Sequence, residues 1–285
     1  MNKNIDSDSL QDYYLDSGLP ANPKKSHFKI VLSEEKFFVE RGYFIELYYD
    51  QLIIPSWTAK WSCKEEDKIL FKYYNEDKCI LCLDSGNVTI YAEYGKFSIK
   101  KKIRIKPVQK NNPFKIAFSE NADVSEGRYS CVYSEFEDSD VTMNCTWSSW
   151  KSDYSDFRVN ISRFDGDYRV LFLKEGIEYL ACKYDDKIYL KILEIQPAKD
   201  YFYIKAPDDI VYKSGRTVRF RAIYNGLDVT ETADWAVQYI KQPEDEIVAS
   251  YTDVKGETVF KNPGKVIILV DYNGERVFSF FDITK

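Results

Sequence analysis

One period runs through this chain and limits what it can fold into. Trp61, Trp147 and Trp235 stand 86 and 88 residues apart. Phe28-Lys29-Ile30, Phe114-Lys115-Ile116 and Phe202-Tyr203-Ile204 each begin 33 residues before their tryptophan. Gly86, Gly176 and Gly264 each stand eight residues before a tyrosine, Tyr94, Tyr184 and Tyr272. The same landmarks in the same order, three times over, indicate tandem copies of one domain. The period is too long for a solenoid repeat and close to the size of a small independent β-sandwich.

Alternation within each copy supports strands. Val88, Ile90 and Ala92 occupy every second position after Gly86, as one buried face of a strand requires. The next strand sends Ile99, Ile103 and Ile105 toward the core, with Lys101 at the intervening position of that face. Glu93-Tyr94-Gly95-Lys96, Tyr184-Asp185-Asp186-Lys187 and Tyr272-Asn273-Gly274-Glu275 read as hairpin turns, the Asn-Gly of the third being the strongest such signal. Gly42, Gly127 and Gly215 are expected at an early turn of each copy. The three tryptophans are expected on central strands, filling the gap between two sheets, so that truncation to alanine costs about 3–5 kcal/mol. Ile105-Lys106-Pro107 and Ile195-Gln196-Pro197 close the first two copies alike, because proline cannot donate to a sheet and holds the preceding residue extended. The domains are then 28–107, 113–197 and 201–285, joined by short linkers that restrict their motion. Residues 1–27 form an arm. Four aspartates surround Tyr13, Tyr14 and Leu15, and Gly18, Pro20 and Pro23 discourage regular structure. The arm either packs on its own first domain or is held by a neighbouring subunit.

The tryptophans, the Gly-to-Tyr strands and the closing Ile-x-Pro together resemble the bacterial immunoglobulin-like domains found in tandem on bacterial surface proteins and tailed-phage virions. The resemblance covers nearly everything after residue 27. It implies an all-β fold of three tandem immunoglobulin-like β-sandwiches behind an extended N-terminal arm. It also implies a spacer, adhesion or decoration role without catalysis.

Composition narrows the function classes. Of 285 residues, 44% are apolar and 30% charged, and no apolar run is long enough for a membrane helix, so no membrane insertion is expected. The net charge of −6 argues against nucleic acid. Residues 1–20 hold no apolar leader segment, which predicts a reducing compartment unless a leader was removed. Six cysteines do not follow the period. Cys79 and Cys82 lie three apart on a strand, point to opposite faces and make a poor chelate. Cys131 and Cys182 flank Trp147 in the Cys–Trp–Cys order of antibody domains, so a disulfide between them is geometrically allowed, although domains 1 and 3 lack counterparts.

Two charged features remain. Lys102, Arg104 and Lys106 share the outward face of the last strand of domain 1. They read either as a lysine-protected edge strand or as a docking strip for an acidic neighbour. Residues 28–108 hold 14 basic and 12 acidic residues, whereas residues 113–198 hold 10 and 16. The acidic loops of domain 2 (Glu135, Glu137, Asp138 and Asp140; Asp153 and Asp156; Asp165 and Asp167) read as solvated surface, since no twelve-residue calcium loop is present. No catalytic, cofactor-binding or metal-ligating set is expected: His27 is the only histidine, and no nucleophile elbow or phosphate loop occurs. The sequence therefore predicts a structural or binding protein. Its expected role is an auxiliary capsid (decoration) protein of a tailed phage, assembled in the host cytoplasm. Tyr13, Tyr14, Leu15, Lys102, Arg104 and Lys106 would contact the major capsid protein or other virion proteins, and the arm would also allow self-association. The alternative is a stalk or adhesin segment of a bacterial surface protein binding a glycan or host protein.

Overall fold

The computed structural model describes residues 19–20, 22–74, 77–149, 158–164, 166–207, 211–239, 248–252 and 254–285. Tyr13, Tyr14 and Leu15 lie outside the described residues. The described residues form strands and three short 3-10 turns, with no α-helix among them. The chain divides into two compact units, residues 1–114 with 181–191 and residues 115–180 with 192–285.

Domain 1 supplies β1 (Phe28–Leu32), β2 (Phe37–Phe38), β3 (Arg41–Tyr49), β4 (Leu52–Ile54), β5 (Lys60–Cys63), β6 (Ile69–Tyr74), β7 (Asp77–Cys82), β8 (Gly86–Tyr94) and β9 (Phe97–Lys106). One sheet is built around β3, which pairs with β1, β4 and β7, and β7 pairs with β6. The other runs β2-β9-β8-β5, with β2 parallel to β9. The first segment of the chain thus switches sheets between Leu32 and Phe37. Between the sheets lies one core that includes Ile45, Leu47, Ile54, Ile80, Val88, Ile90 and Tyr94. β8 alternates as the sequence reads: Val88, Ile90 and Ala92 are buried, while Thr89 and Tyr91 are only half-buried.

Domain 2 repeats the order with β10 (Phe114–Phe118), β11 (Tyr129–Phe136), β12 (Ser139–Asp140), β13 (Thr146–Ser149), β14 (Val159–Phe164), β15 (Asp167–Phe172), β16 (Gly176–Tyr184) and β17 (Lys187–Ile195). Domain 3 repeats it again with β18 (Phe202–Lys205), β19 (Thr217–Arg219), β20 (Arg221–Tyr224), β21 (Leu227–Asp228), β22 (Asp234–Tyr239), β23 (Ala249–Tyr251), β24 (Glu257–Phe260), β25 (Gly264–Tyr272) and β26 (Glu275–Ile283). The parallel contact between β2 and β9 recurs as single bridges, Ser125 to Gln196 and Lys213 to Thr284. The molecule is all-β, three tandem immunoglobulin-like sandwiches. Its Asn273-Gly274 hairpin has both residues left-handed (φ 51° and 78°), as a two-residue primed turn demands.

Two expectations need correction. Each tryptophan sits on the edge strand of its sheet in domains 1 and 3, β5 beside β8 and β22 beside β25, rather than on a central strand. Trp61, Trp147 and Trp235 are all half-buried. The cause is the indole N–H, which needs an acceptor when covered. It finds one in the carbonyl five residues upstream each time: Ser56 at 3.1 Å, Thr142 at 3.4 Å and Thr230 at 3.0 Å. The second correction concerns Gly42, which lies inside β3 and makes no turn. The early left-handed position belongs to Glu40 (φ 62°), matched by Gly127 and Gly215 (both φ 80°). Their amides donate to the ends of β7, β15 and β24: Glu40 to Cys82 at 2.9 Å, Gly127 to Phe172 at 2.9 Å and Gly215 to Phe260 at 2.7 Å.

The Cys131–Cys182 disulfide is not formed. None of the six cysteines is in a disulfide, with Cys131 half-buried and Cys182 buried. Cys79 and Cys82 are fully buried, and burial pushes both thiols up to about 12.

Since the indole bond is the shared closure, Trp235→Phe keeps one aromatic ring but removes the pyrrole half, and with it the donor to Thr230 and part of the packing on the core. It should cost about 1–3 kcal/mol in urea unfolding, the unpaired carbonyl and the vacated space both contributing. Equal stability of wild type and variant would remove that role.

Candidate functional site

The feature that recurs with the domains, and brings side chains from distant sequence together, is an arginine one residue after each left-handed position: Arg41, Arg128 and Arg216. Arginine reads as a surface residue in sequence. Here the first two are buried.

Arg41 opens β3 and is 9% exposed. Its Nη2 lies 3.6 Å from Glu34, and its guanidinium lies 4.3 Å from the ring of Tyr189. Tyr189 stacks in turn on Phe114, with centroids 3.8 Å apart. The backbone of the β17 tip continues the β3 sheet, Ile188 opposite Gly42 and Tyr189 opposite Arg41, and the Leu190 amide donates to Glu40 at 3.0 Å. This contact explains Gly42. A Cβ there would lie 2.7 Å from Cγ2 of Ile188 and 3.2 Å from Leu81, so only glycine admits the close approach.

Arg128 is 1% exposed and repeats the arrangement in the other unit. Its Nε lies 3.6 Å from Asp123, its Nη2 donates to the Lys199 carbonyl at 3.5 Å, and the guanidinium sits 4.8 Å from Tyr201 and 5.5 Å from Phe202. Arg128 pairs with Val277 of β26, and the Phe278 amide donates to Gly127 at 3.0 Å. Beside this pairing, Tyr129 and Leu171 on the outer face of domain 2 pack with Ile267, Leu269 and Phe278 of domain 3. The Tyr129 hydroxyl donates to Asp271 at 2.5 Å, and Arg276 donates to Ser119 at 2.7 Å. This is why Val266 to Val270 are buried without alternation: even positions face their own core and odd ones face domain 2.

Arg216 sits at the same place in domain 3, where Phe260 donates to its carbonyl at 2.9 Å as Phe172 does to Arg128. It is exposed. The positions that match Tyr129, Leu171 and Leu173 around it are Thr217, Val259 and Lys261, a more polar face.

Electrostatics follow the burial. For Asp123, burial alone would raise the carboxyl. Hydrogen bonds from Lys199 (2.8 Å) and Ser125 (2.6 Å), with the charges of Lys199 and Arg128, outweigh it and hold the group below the usual carboxylate range. Its contribution to stability is therefore complete above the unfolded-state value near 4 and is lost as pH falls through the lower folded value. Burial, then the adjacent Asp271 charge, pushes Tyr129 upward. That contribution is complete below about pH 10 and lost on further alkalinisation.

The remaining sequence candidates fall elsewhere. Lys102, Arg104 and Lys106 are exposed together on β9, opposite Ile103 and Ile105. The strand is not a bare edge where the strip ends, because Phe37 and Phe38 pair with Ile105 and Lys106. Of the acidic loop of domain 2, Glu135 and Asp138 face Lys115 at 3.7 and 3.2 Å. Asp140 accepts from the Thr142 amide at 2.8 Å. Asp153, Asp156 and Asp165 lie outside the described residues. Among the described residues no group of three or more His, Cys, Asp or Glu side chains is placed to hold a metal, and no helix is long and apolar enough to cross a membrane.

Sequence reasoning passed over the arginines, although their spacing of 87 and 88 residues was in plain view. It also passed over Asp140-Val141-Thr142 and Asp228-Val229-Thr230, each ending five residues before its tryptophan.

No protein-family model matches the chain, and no curated protein matches it. Among solved structures, domains 5–6 of the S-layer protein SbsC are 13% identical over 60% of this chain and 98% of that one, with a TM-score of 0.26. The Escherichia coli adhesin FdeC is 10% identical over 91% of this chain and 97% of that one, with a TM-score of 0.23. Extracellular domains 3–5 of Drosophila OTK are 7% identical over 91% and 98%, with a TM-score of 0.21. Likenesses this remote carry no argument about function.

Arg128→Ala leaves the Asp123 carboxylate with one cation fewer in a buried setting and should cost about 3–5 kcal/mol. Arg216→Ala, exposed at the matching place, should stay within about 0.5 kcal/mol. Equal effects in urea unfolding would show that burial at Arg128 plays no part.

Proposed function

We propose that the chain is a non-catalytic structural and binding protein, a run of sandwiches that displays or spaces its surfaces through arginine-anchored joints. The observation that supports it most is the Arg128 joint, where backbone pairing, a buried ion pair and a shared apolar face couple domains 2 and 3. Investment of buried charge and sheet pairing between domains suits a part whose task is to keep its geometry under load.

Within that class the reading is an auxiliary capsid (decoration) protein of a tailed phage, located in the virion. The arm with Tyr13, Tyr14 and Leu15, and the strip Lys102, Arg104 and Lys106, would engage the major capsid protein or another virion protein. The arm also offers a route to self-association. No cofactor, nucleic acid or membrane insertion enters this role. It rests on the sequence resemblance and on the exposure of the basic strip. The second reading, a stalk or adhesin segment on a bacterial surface, is favoured by one observation: domain 1 exposes Ile53 (52%) on β4 and Trp57 (66%) on the turn that follows it.

Quantitative proteomics of particles purified from the source culture tests the first reading. A copy number commensurate with the shell protein, lost when residues 1–27 are deleted, is the expected result. Absence of the chain from particles, with recovery in the envelope fraction, overturns it in favour of the second.

A further inference from the structure

The threefold repeat acts as an internal control: what the fold requires recurs, and what one domain alone carries needs another reason. The turn before each tryptophan shows this well. Thr58, Asn144 and Thr232 donate their amides to Pro55, Val141 and Val229 at 3.0, 2.9 and 3.0 Å, so the backbone is the same in all three domains. Its apex residue is Trp57, Met143 or Glu231, and all three are exposed. The fold therefore makes no demand on the apex side chain.

The loop leading to Trp57 departs from its copies as well. Domains 2 and 3 close it with an aspartate, Asp140 accepting from Thr142 at 2.8 Å and Asp228 accepting from Thr230 at 3.0 Å. Domain 1 has Ile54, fully buried, at that place, with Pro55 after it. The apolar plug fixes the loop without a charge, and Trp57 stands out at 66% exposure; the exposed Ile53 beside it (52%) is matched by Leu227 of domain 3 (69%), so the indole is what domain 1 alone carries.

Ile53, Ile54 and Trp57 border an open groove of about 590 Å³, within the range of ligand sites. Trp57, Ile53 and Phe44 give it apolar surface, and Glu46, Asp77, Asp186, Lys78 and Lys183 give it acceptors and donors. The charges nearly cancel. Lys183 lies 3.1 Å from Asp186, and Glu46 already accepts from the Tyr48 hydroxyl at 3.0 Å. A strongly charged ligand would meet like charge on either side. A wholly apolar ligand would leave five ionised groups without water. An uncharged ligand with one C–H face and many hydroxyls fits both halves: the indole covers the C–H face, and the carboxylates and ammonium groups bond the hydroxyls.

We propose that the Trp57 groove of domain 1 binds a neutral oligosaccharide, with the indole stacked on a pyranose ring. The proposal rests on the chain being a binding protein and deepens that reading by naming a site and a ligand class.

The test titrates the full chain with cellohexaose, maltohexaose and chitohexaose, followed by calorimetry and tryptophan fluorescence. A capped pentapeptide of alternating valine and threonine serves as a strand mimic for the open edge of β4. At least one sugar should saturate the site one-to-one. Trp57→Ala should weaken it about tenfold or more with the thermal midpoint unchanged, since the side chain is exposed, and Met143→Ala should leave it unaltered. Failure of all three sugars to saturate, binding by the peptide alone, or undiminished sugar binding by Trp57→Ala overturns the proposal. Particle association and sugar titration fail separately: a chain found on particles that ignores every sugar loses the groove and keeps its structural role.

Discussion

An indole N–H, covered on one side, must reach an oxygen, and this chain meets the requirement three times in the same way. The bond from Trp61, Trp147 or Trp235 to the carbonyl five residues upstream ties the turn at one end of each sandwich to an edge strand. It lets the tryptophan lie half over the core and half in solvent, covering the flank of the sandwich with its ring while its polar atom is satisfied. The sheets, their cores and the positions of the hairpins follow from that closure together with the sheet switch near the start of each domain. The hairpins then face outward at one end and can meet another sheet.

What they meet is a left-handed residue followed by arginine. Sheet edges attract other strands, and a tandem protein can use that attraction between its own domains. Ile188 to Leu190 extend the sheet of β3, and Val277 and Phe278 engage the start of the β11 segment. The arginine beneath each pairing is covered by aromatic rings and held by a carboxylate, Glu34 or Asp123. A lysine could not replace it, because its ammonium lacks the flat surface that lies against Tyr189 and Tyr201. Arg216, exposed and bordered by Thr217 and Lys261, shows the same position without a covering strand among the described residues.

Much of the fold was legible because it rests on short-range pattern. Gly86, Gly176 and Gly264 do open strands, and the turns at Gly95, Asp185 and Asn273 do close hairpins. The strand faces were legible where one side is wet, as in Val88-Thr89-Ile90-Tyr91-Ala92. They were not where both sides are dry, as in Val266-Ile267-Ile268-Leu269-Val270, since alternation vanishes when a second domain covers the outer face. Tryptophan was placed too deep, because bulk argues for the centre of a core while the N–H argues for its margin. Gly42 was read as a turn because glycine usually marks one, and the reason for it, Ile188, lies far along the chain. The arginines were missed for the same kind of reason: their burial depends on partners supplied by the following domain. Trp57 was invisible until the repeat showed that Met143 and Glu231 serve equally well in its place.

The central claim is that the last hairpins of domains 2 and 3 pair by backbone with the arginine-bearing edge of the domain before. Amide hydrogen exchange tests it most directly. The amides of Leu190 and Phe278 donate to the carbonyls of Glu40 and Gly127. The account predicts that both exchange slowly, at rates near those of core amides such as Ile90, while Lys100, at the matching place in the hairpin of domain 1, exchanges fast. Fast exchange at Leu190 and Phe278, equal to that of Lys100, would contradict it.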